Sequence, residues 1–220
     1  MFSLFLEYCV IICAEYSDIP YIINIMKRQP NFDHLYQIAE DQAGYFTTQQ
    51  AHKAGYSLER LSDLTARGKF VRMEQGVYRL THFPTTRFED LHIASLKTGL
   101  ASVISHESAL AVYELSDLLP TAVHVIIPKT GSRRRKGIQF HTPKLEKDEI
   151  TQREGLRVTT VERTIADVIL SGVSYQRIQQ AIQEALRRGL TTEKKLRKQA
   201  EHRKGQVEKY ILQIIEDKSS

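Results

Sequence analysis

Between residues 31 and 80, apolar side chains recur first at the spacing of a helix and then in two short β-rich runs. The spacing predicts three helices, over 31–43, 47–54 and 57–67, with Thr or Ser beginning the last two and Gly following each. Residues 70–80 hold two β-branched and aromatic runs around a Gly-containing turn, which predicts a hairpin. Three helices followed by a hairpin are the elements of a winged helix-turn-helix, a fold that sets one helix into the DNA major groove.

After a polar connector at 81–86, the pattern alternates between helices and strands and then becomes wholly helical. The predicted helices are 88–97, 106–115, 161–170, 175–188, one from 191 and 206–217, and the predicted strands are 122–128, 137–142 and 156–159. The sequence therefore predicts an α+β protein. We expect an N-terminal winged helix-turn-helix at 31–82 and a mixed α/β domain at 87–220, whose end is helical and basic from about residue 174.

The winged helix offers polar side chains suited to DNA. With Leu58, Leu61 and Leu64 turned inward, the outer face of the second helix of the helix-turn-helix carries Arg60, which could read guanine in the major groove. Several basic side chains beyond it suit phosphates. The candidate DNA-binding residues of this region are Thr47, Thr48, Ser57, Arg60, Ser62, Arg67, Lys69, Arg72 and Arg79. The alternative is that the winged helix binds protein and that these arginines are simply solvated.

A second basic segment lies between two predicted strands. The Gly-bounded loop holds four consecutive basic residues, Arg133, Arg134, Arg135 and Lys136. Such a loop could contact DNA phosphates, and it could equally be a solvated hairpin tip. The sequence leaves these two interpretations open.

Charge is spread unevenly along the chain. The formal net charge is +5, with a pI of about 9.1, a mildly basic balance that is compatible with nucleic acid. Residues 34–80 contain 6 basic and 5 acidic side chains, whereas residues 166–220 contain 11 and 7. The winged helix is therefore not the most basic part, which either weakens the case for DNA binding or means that the rest of the chain helps hold the DNA backbone.

The first 25 residues are apolar but interrupted by acidic side chains, so we expect neither a membrane span nor a signal peptide there. We interpret residues 1–25 as an upstream extension, with a start at Met26 as one explanation and a buried strand or an interaction tail as the alternative. Its Cys9 and Cys13 are the chain's two cysteines, and we expect them to form no metal site. Nothing suggests a disulfide-rich secreted protein, so we expect a cytoplasmic location.

Two polar groups invite a catalytic interpretation, and we favour a structural one for both. Ser105 is expected to cap a helix, and residues adjacent at a helix start point in different directions, so Ser105 and the following His106-Glu107-Ser108 cannot form a catalytic triad alone. The segment Asp148 to Glu154 reads as a solvated polar loop, with Glu149 inside it. We predict a capping box from Thr159 to Glu162, an internal ion pair between Arg163 and Asp167, and no catalysis.

Several motifs then point to one family through their order and spacing. They are Phe46-Thr47-Thr48-Gln49-Gln50-Ala51 before Gly55, Leu61, Leu64, Gly68-Lys69-Phe70-Val71-Arg72, Gly76-Val77-Tyr78-Arg79-Leu80, Ile104-Ser105-His106-Glu107-Ser108-Ala109-Leu110, His124-Val125-Ile126-Ile127-Pro128 and Val158-Thr159-Thr160-Val161-Glu162-Arg163-Thr164-Ile165-Ala166-Asp167. With these motifs the sequence resembles the AbiEi antitoxins of type IV toxin-antitoxin systems, which also regulate transcription of their own operons. The extension at 1–25 lies outside the resemblance, and the end from Tyr175 matches less clearly.

The resemblance implies a winged helix that represses the operon promoter and a second domain that provides antitoxin function in phage defence. It also implies a neighbouring gene for a nucleotidyltransferase-like toxin, without a stable complex between toxin and antitoxin. No cofactor or metal is expected.

For such a regulator we expect binding to double-stranded DNA at inverted repeats upstream of its own gene, with a homodimer on the DNA. About six phosphate contacts would give a slope of log K against log salt near −5. The alternative function is a winged-helix protein-protein adaptor, which would bind specific and random DNA alike and weakly.

Overall fold

The structure is a computed structural model that describes residues 29–116, 120–127 and 135–217. The interpretation of residues 1–25, including Cys9 and Cys13, falls outside these residues. So does the assignment of Arg133 and Arg134 as phosphate ligands. No described helix is long and apolar enough to cross a membrane.

An N-terminal lobe, residues 32–83, has the winged helix-turn-helix arrangement that the sequence predicts. Its elements are α1 (Phe32–Glu40), β1 (Tyr45–Thr47), α2 (Thr48–Lys53), α3 (Leu58–Ala66), β2 (Phe70–Glu74) and β3 (Val77–Leu80). The strands form an antiparallel sheet in the order β1-β3-β2, in which β2 and β3 are the wing. The three-residue strand β1 is too short for an alternating pattern to reveal it, and the sequence analysis missed it.

Side-chain caps fix where the helices of this lobe begin. Thr47 Oγ1 accepts from the backbone N–H of Gln50, whose side chain accepts from the N–H of Thr47, so a capping box precedes α2. Thr48 is the first residue of α2, not a cap. Ser57 Oγ accepts from the N–H of Arg60 at 3.2 Å and begins α3, as predicted.

Aromatic side chains fill the core of the N-terminal lobe. Phe46 meets Phe70 edge to face at 5.1 Å and stacks on Tyr78 at 5.8 Å between ring centroids. Leu61 packs into this core, whereas Leu58 is 64% exposed. The prediction that Leu58 turns inward with Leu61 is therefore wrong, because Leu58 lies in the first turn of α3, at its outer surface.

A C-terminal lobe, residues 88–217, combines a mixed sheet with a helical end, which gives the predicted α+β class. Its elements are α4 (Glu89–Thr98), β4 (Val103–Ile104), α5 (His106–Val112), β5 (Val123–Ile126), β6 (Ile138–His141), a 3-10 turn (Lys147–Glu149), β7 (Ile150–Arg153), β8 (Leu156–Thr159), α6 (Val161–Leu170), α7 (Tyr175–Arg187), α8 (Glu193–Arg203) and α9 (Gly205–Asp217). The sheet order is β6-β5-β4-β8-β7, with parallel pairs β5/β6 and β4/β8. Strands β4 and β7 were not predicted.

Helix α6 is the centre of this lobe, because all its residues from Arg163 to Ile169 are buried. The cap of α6 is Thr160, whose hydroxyl accepts from the N–H of Arg163, and not the predicted Thr159. Thr159 instead lies within hydrogen-bond distance of the hydroxyl of Thr164, at 2.7 Å. Glu162 accepts a hydrogen bond from Thr191, so it takes no part in a capping box.

A buried ion network joins α6 to the rest of the lobe. The predicted pair is present, with Arg163 Nε donating to Asp167 Oδ1 at 2.8 Å. Glu149 is part of the same network, with contacts of 2.7 Å to Arg163 and 2.5 Å to Arg203, and it is 7% exposed. The prediction that Glu149 is a solvated loop residue is wrong, because two guanidinium groups replace its water.

Helix α4 connects the lobes. Tyr45 Oη of β1 donates to Glu89 Oε2 at 3.2 Å, and the Tyr45 ring stacks on His92 at 4.9 Å. Lys97 forms an ion pair with Glu74 of the wing. The two hydrophobic cores lie on either side of residues 84–87, and the domain boundary at 81–86 stays a prediction.

Candidate nucleic-acid interface

Helix α3 presents a polar face that the caps and the core position. Because Leu61 is buried, the side chains of Arg60, Ser62 and Asp63 lie on the outside, and all three are exposed. Ser57 is exposed at the N-terminus of α3, where its hydroxyl is occupied by the N–H of Arg60. The predicted base-reading residue, Arg60, therefore lies in the first turn of α3, on an accessible surface.

The charges on this face balance one another. Arg60 and Arg67 are the cations, and Glu59 and Asp63 are the anions. Arg67 Nε donates to Asp63 Oδ1 at 2.9 Å, and both side chains are exposed. A phosphate would have to compete with Asp63 for Arg67, so Arg67 is a weaker phosphate candidate than the sequence suggested.

The wing and the turn before it supply further cations. Lys69 is exposed just after α3, and Arg72 is exposed on β2. Lys53, at the end of α2, is also exposed, although the sequence analysis did not name it. Lys53 could have been found from the sequence, because it is a basic residue at the end of α2, the helix that precedes α3.

Arg79 does not lie on this surface. Its side chain is 8% exposed, and its Nη1 donates to the backbone carbonyl of Phe83. All residues of β3 are buried, since this strand is the middle one of the three-stranded sheet. Arg79 is therefore poorly placed to be a phosphate ligand, and its guanidinium instead holds the connector against the sheet.

The remaining candidates divide by exposure. Thr47 is half-buried, and its hydroxyl is engaged in the capping box of α2. Thr48 is also half-buried, and its backbone N–H donates to the carbonyl of Gly76 in the wing turn at 3.0 Å. Arg135 and Lys136 are exposed at the beginning of β6, in the C-terminal lobe. Their role in holding DNA stays a prediction.

An aromatic groove of about 330 Å³ lies beside the polar face of α3. Its walls include the rings of Tyr36, Tyr56 and Phe83, and Arg60 and Lys69 lie at its edge. Burial raises the pKa of Tyr56, while the nearby charge of Arg60 opposes that rise. The groove thus places apolar surface next to two of the candidate DNA ligands.

The Ser105-His106 pair has a different geometry from the one predicted. Ser105 makes no cap hydrogen bond, and its Oγ lies 2.9 Å from His106 Nδ1, because His106 adopts a φ of +50°. Adjacent residues therefore do meet here, contrary to expectation. Ser105 is 0% exposed, however, so no substrate can reach its hydroxyl in this conformation.

Comparisons with known proteins give a family match in the N-terminal lobe and a structural alignment over most of the chain. Residues 33–81 match the family model described as "Transcriptional regulator, AbiEi antitoxin", which confirms the predicted resemblance for that segment. The crystal structure of the RV2827C protein from Mycobacterium tuberculosis aligns with 83% of this chain and 74% of that chain, at 12% sequence identity and a TM-score of 0.49. Among curated proteins, none gives a significant match to the sequence.

Proposed function

We propose that this protein is a DNA-binding transcriptional autorepressor and the antitoxin of a type IV toxin-antitoxin system. One observation carries the DNA-binding part: the segment that matches a transcriptional-regulator family presents Arg60 on the exposed face of α3, with Arg72 exposed on the adjoining wing. Its DNA target is the inverted repeat upstream of its own gene. The toxin whose effect it counteracts is nucleotidyltransferase-like and is encoded beside it.

In this proposal α3 enters the major groove and the wing follows the phosphate backbone. The guanidinium of Arg60 can donate two parallel hydrogen bonds to O6 and N7 of guanine, which distinguishes that base from the other three. Lys69 and Arg72 contact phosphates, which fix the position of α3 without reading sequence. An inverted repeat is bound by two protomers, each placing its α3 in one half-site.

The first experiment measures binding of the purified full chain to its own upstream DNA and to a shuffled copy, across a salt series. For Arg60→Ala we expect a loss of about 1–3 kcal/mol on the specific DNA and little change on the shuffled DNA. For Arg72→Ala we expect similar losses on both DNAs and a salt slope that is less steep by about 1. The comparison variant is Arg177→Ala, which removes an exposed arginine from α7 and shows the effect of losing one cation of the C-terminal lobe on both DNAs.

Equal losses on the two DNAs for Arg60→Ala would contradict its role in base recognition. Equal and weak binding of the unmutated protein to both DNAs would contradict the regulator altogether, and it is the result expected of a protein-protein adaptor.

The antitoxin part is tested in cells that express the neighbouring toxin from an inducible promoter. We expect the full chain, supplied from an unrelated promoter, to restore growth. Arg60→Ala should restore growth equally well, because the resemblance assigns antitoxin function to the second domain. Growth that is not restored by the unmutated protein, in the presence of soluble folded antitoxin, would contradict this part without affecting the DNA-binding result.

A further inference from the structure

Three histidines that are distant in sequence meet at one edge of the C-terminal sheet. His106 is the first residue of α5, His124 lies on β5, and His141 ends the neighbouring edge strand β6. One ring nitrogen from each lies within 4.8 Å of the others, and His124 Nδ1 is 3.1 Å from His141 Nε2. The parallel pairing of β5 with β6 and the start of α5 beside β5 produce this His cluster.

Two of the three rings have their second nitrogen engaged by a polar partner. His124 Nε2 is 3.4 Å from the carboxylate of Glu107, and His106 Nδ1 is 2.9 Å from Ser105 Oγ. With protons on these two nitrogens, His124 Nδ1 and His106 Nε2 keep their lone pairs. Histidine ligands in metal sites are oriented in the same way. The ring nitrogen that does not bind the metal carries a proton and donates it to a carboxylate or another oxygen.

The surroundings of the three rings lower the pKa of each. Burial lowers the pKa of His106 to about 3 and that of His141 to about 4, and each is further lowered by the other histidines near it. Burial lowers the pKa of His124 as well, although Glu107 opposes this effect.

The backbone is held in an unusual conformation at the same place. His106 has a φ of +50°, in the left-handed region that residues with a Cβ rarely adopt. That conformation turns its ring toward His141, with centroids 3.7 Å apart and planes 16° from parallel. Residues held in this way by the surrounding structure are concentrated at binding sites.

We propose that His106, His124 and His141 form a binding site for a divalent transition-metal ion of the Zn²⁺ type. Three imidazoles are a donor set that suits Zn²⁺, Co²⁺ and Ni²⁺ and does not suit Mg²⁺ or Ca²⁺. Ligand nitrogens lie about 2.0–2.1 Å from Zn²⁺, so in a tetrahedral site they are roughly 3.3 Å apart. The separation of His124 Nδ1 and His141 Nε2 already matches that distance.

Two consequences follow from this geometry. Lone pairs of near-parallel stacked rings do not converge on one point, so the His106 ring turns about its side-chain bonds when the ion binds. The fourth position is left for water, because the carboxylate of Glu107 lies against the far nitrogen of His124. A bound ion would tie α5 to both β5 and β6, and the site is independent of the DNA-binding face.

The test uses the untagged full chain after removal of metal with a chelator. Titration with Co²⁺ should give the visible absorption of a tetrahedral site at one ion per chain, and Zn²⁺ should displace it. At about 100 times the dissociation constant, Zn²⁺ should raise the melting temperature by about 5–10 °C. His141→Gln and His124→Gln should each weaken binding by more than about 100-fold, and Glu107→Gln by about 10–100-fold.

Controls separate this site from other ligands on the chain. His52→Gln removes an exposed histidine from α2 and should leave Co²⁺ absorption unchanged. A double variant, Cys9→Ser with Cys13→Ser, should also leave it unchanged. The metal-free melting curves of His141→Gln and of the unmutated chain should coincide closely enough to show that the variant is folded.

Two results would overturn the proposal. One is no tetrahedral Co²⁺ spectrum and no Zn²⁺-dependent melting shift in the unmutated chain, which would leave the cluster as neutral hydrogen-bonded histidines. The other is a spectrum that persists in folded His141→Gln and His124→Gln but disappears in the cysteine variant.

Discussion

Glu149 forms an ion pair with Arg163, which is the least exposed charged side chain described in the C-terminal lobe. Its carboxylate accepts from Arg163 Nη1 at 2.7 Å, from Arg203 Nη2 at 2.5 Å and from the N–H of Glu146 at 3.1 Å. Arg163 is only 1% exposed. Burial alone would raise the pKa of Glu149, but the N–H of Glu146 and the two guanidinium groups hold it below its usual value. The carboxylate is therefore ionised at neutral pH.

Glu149→Gln should destabilise the protein strongly. The substitution keeps the shape of the side chain, removes its negative charge and turns an amide NH₂ group toward one of the two guanidinium groups. Removing one partner of a buried ion pair costs about 3–5 kcal/mol. For a chain of this size, about 1 kcal/mol corresponds to about 2–4 °C, so we expect the melting temperature to fall by about 6–20 °C.

Thermal and urea unfolding at pH 7, followed by circular dichroism, measure this change. The matched control is Glu201→Gln, because Glu201 is exposed on α8. The control should melt with the unmutated protein. A melting temperature for Glu149→Gln within about 2 °C of the control would refute the argument, since it would correspond to less than about 1 kcal/mol.

Two further variants test the contacts around β1. Burial lowers the pKa of His92 to about 4, so its neutral ring stabilises the fold above pH about 6.5, and this contribution should fall by about 2 kcal/mol between pH 7 and 5. His92→Gln should remove this share of the pH dependence of the urea midpoint and leave the share of the buried His106, His124 and His141, whereas His202→Gln, at an exposed site, should leave all of it. Gly44→Ala should unfold at lower urea, because φ is +91° and the added Cβ would lie 2.4 Å from Cβ of Phe83; an unchanged midpoint would contradict this.

Elements with local signals were predictable from the sequence. Helix α6 has the predicted bounds, 161–170, since a threonine precedes it and its apolar residues recur at helical spacing. Strands β5, β6 and β8 lie inside the predicted β-rich runs. Strand β4 was missed because it is two residues long and is defined by its pairing with β5 and β8.

The burial and contacts of the other key side chains depend on partners that are distant in sequence. Arg79 and Arg72 each stand between two apolar residues in a short β-rich run. Arg79 is buried because its strand is the central one of the sheet. Glu149 meets Arg203 across 54 residues of sequence. His124 is 17 residues from His141, and only the parallel pairing of β5 with β6 brings them together. No spacing rule connects residues at such distances, so neither the contacts of Glu149 in the ion network nor the His cluster could be predicted.

The burial pattern also changes what the salt dependence of DNA binding would mean. The N-terminal lobe has six lysines and arginines, Lys53, Arg60, Arg67, Lys69, Arg72 and Arg79. Arg79 is buried and Arg67 is paired with Asp63, so if Arg60 reads a base, Lys53, Lys69 and Arg72 remain for phosphates.

Three phosphate contacts give a slope of log K against log salt near −3, and six give a slope near −5. The steeper value therefore requires either two protomers on the DNA or cations of the C-terminal lobe. Lys136→Ala separates these cases: it should leave a slope near −5 unchanged if two N-terminal lobes supply the contacts, and it should make the slope less steep if the basic segment before β6 takes part.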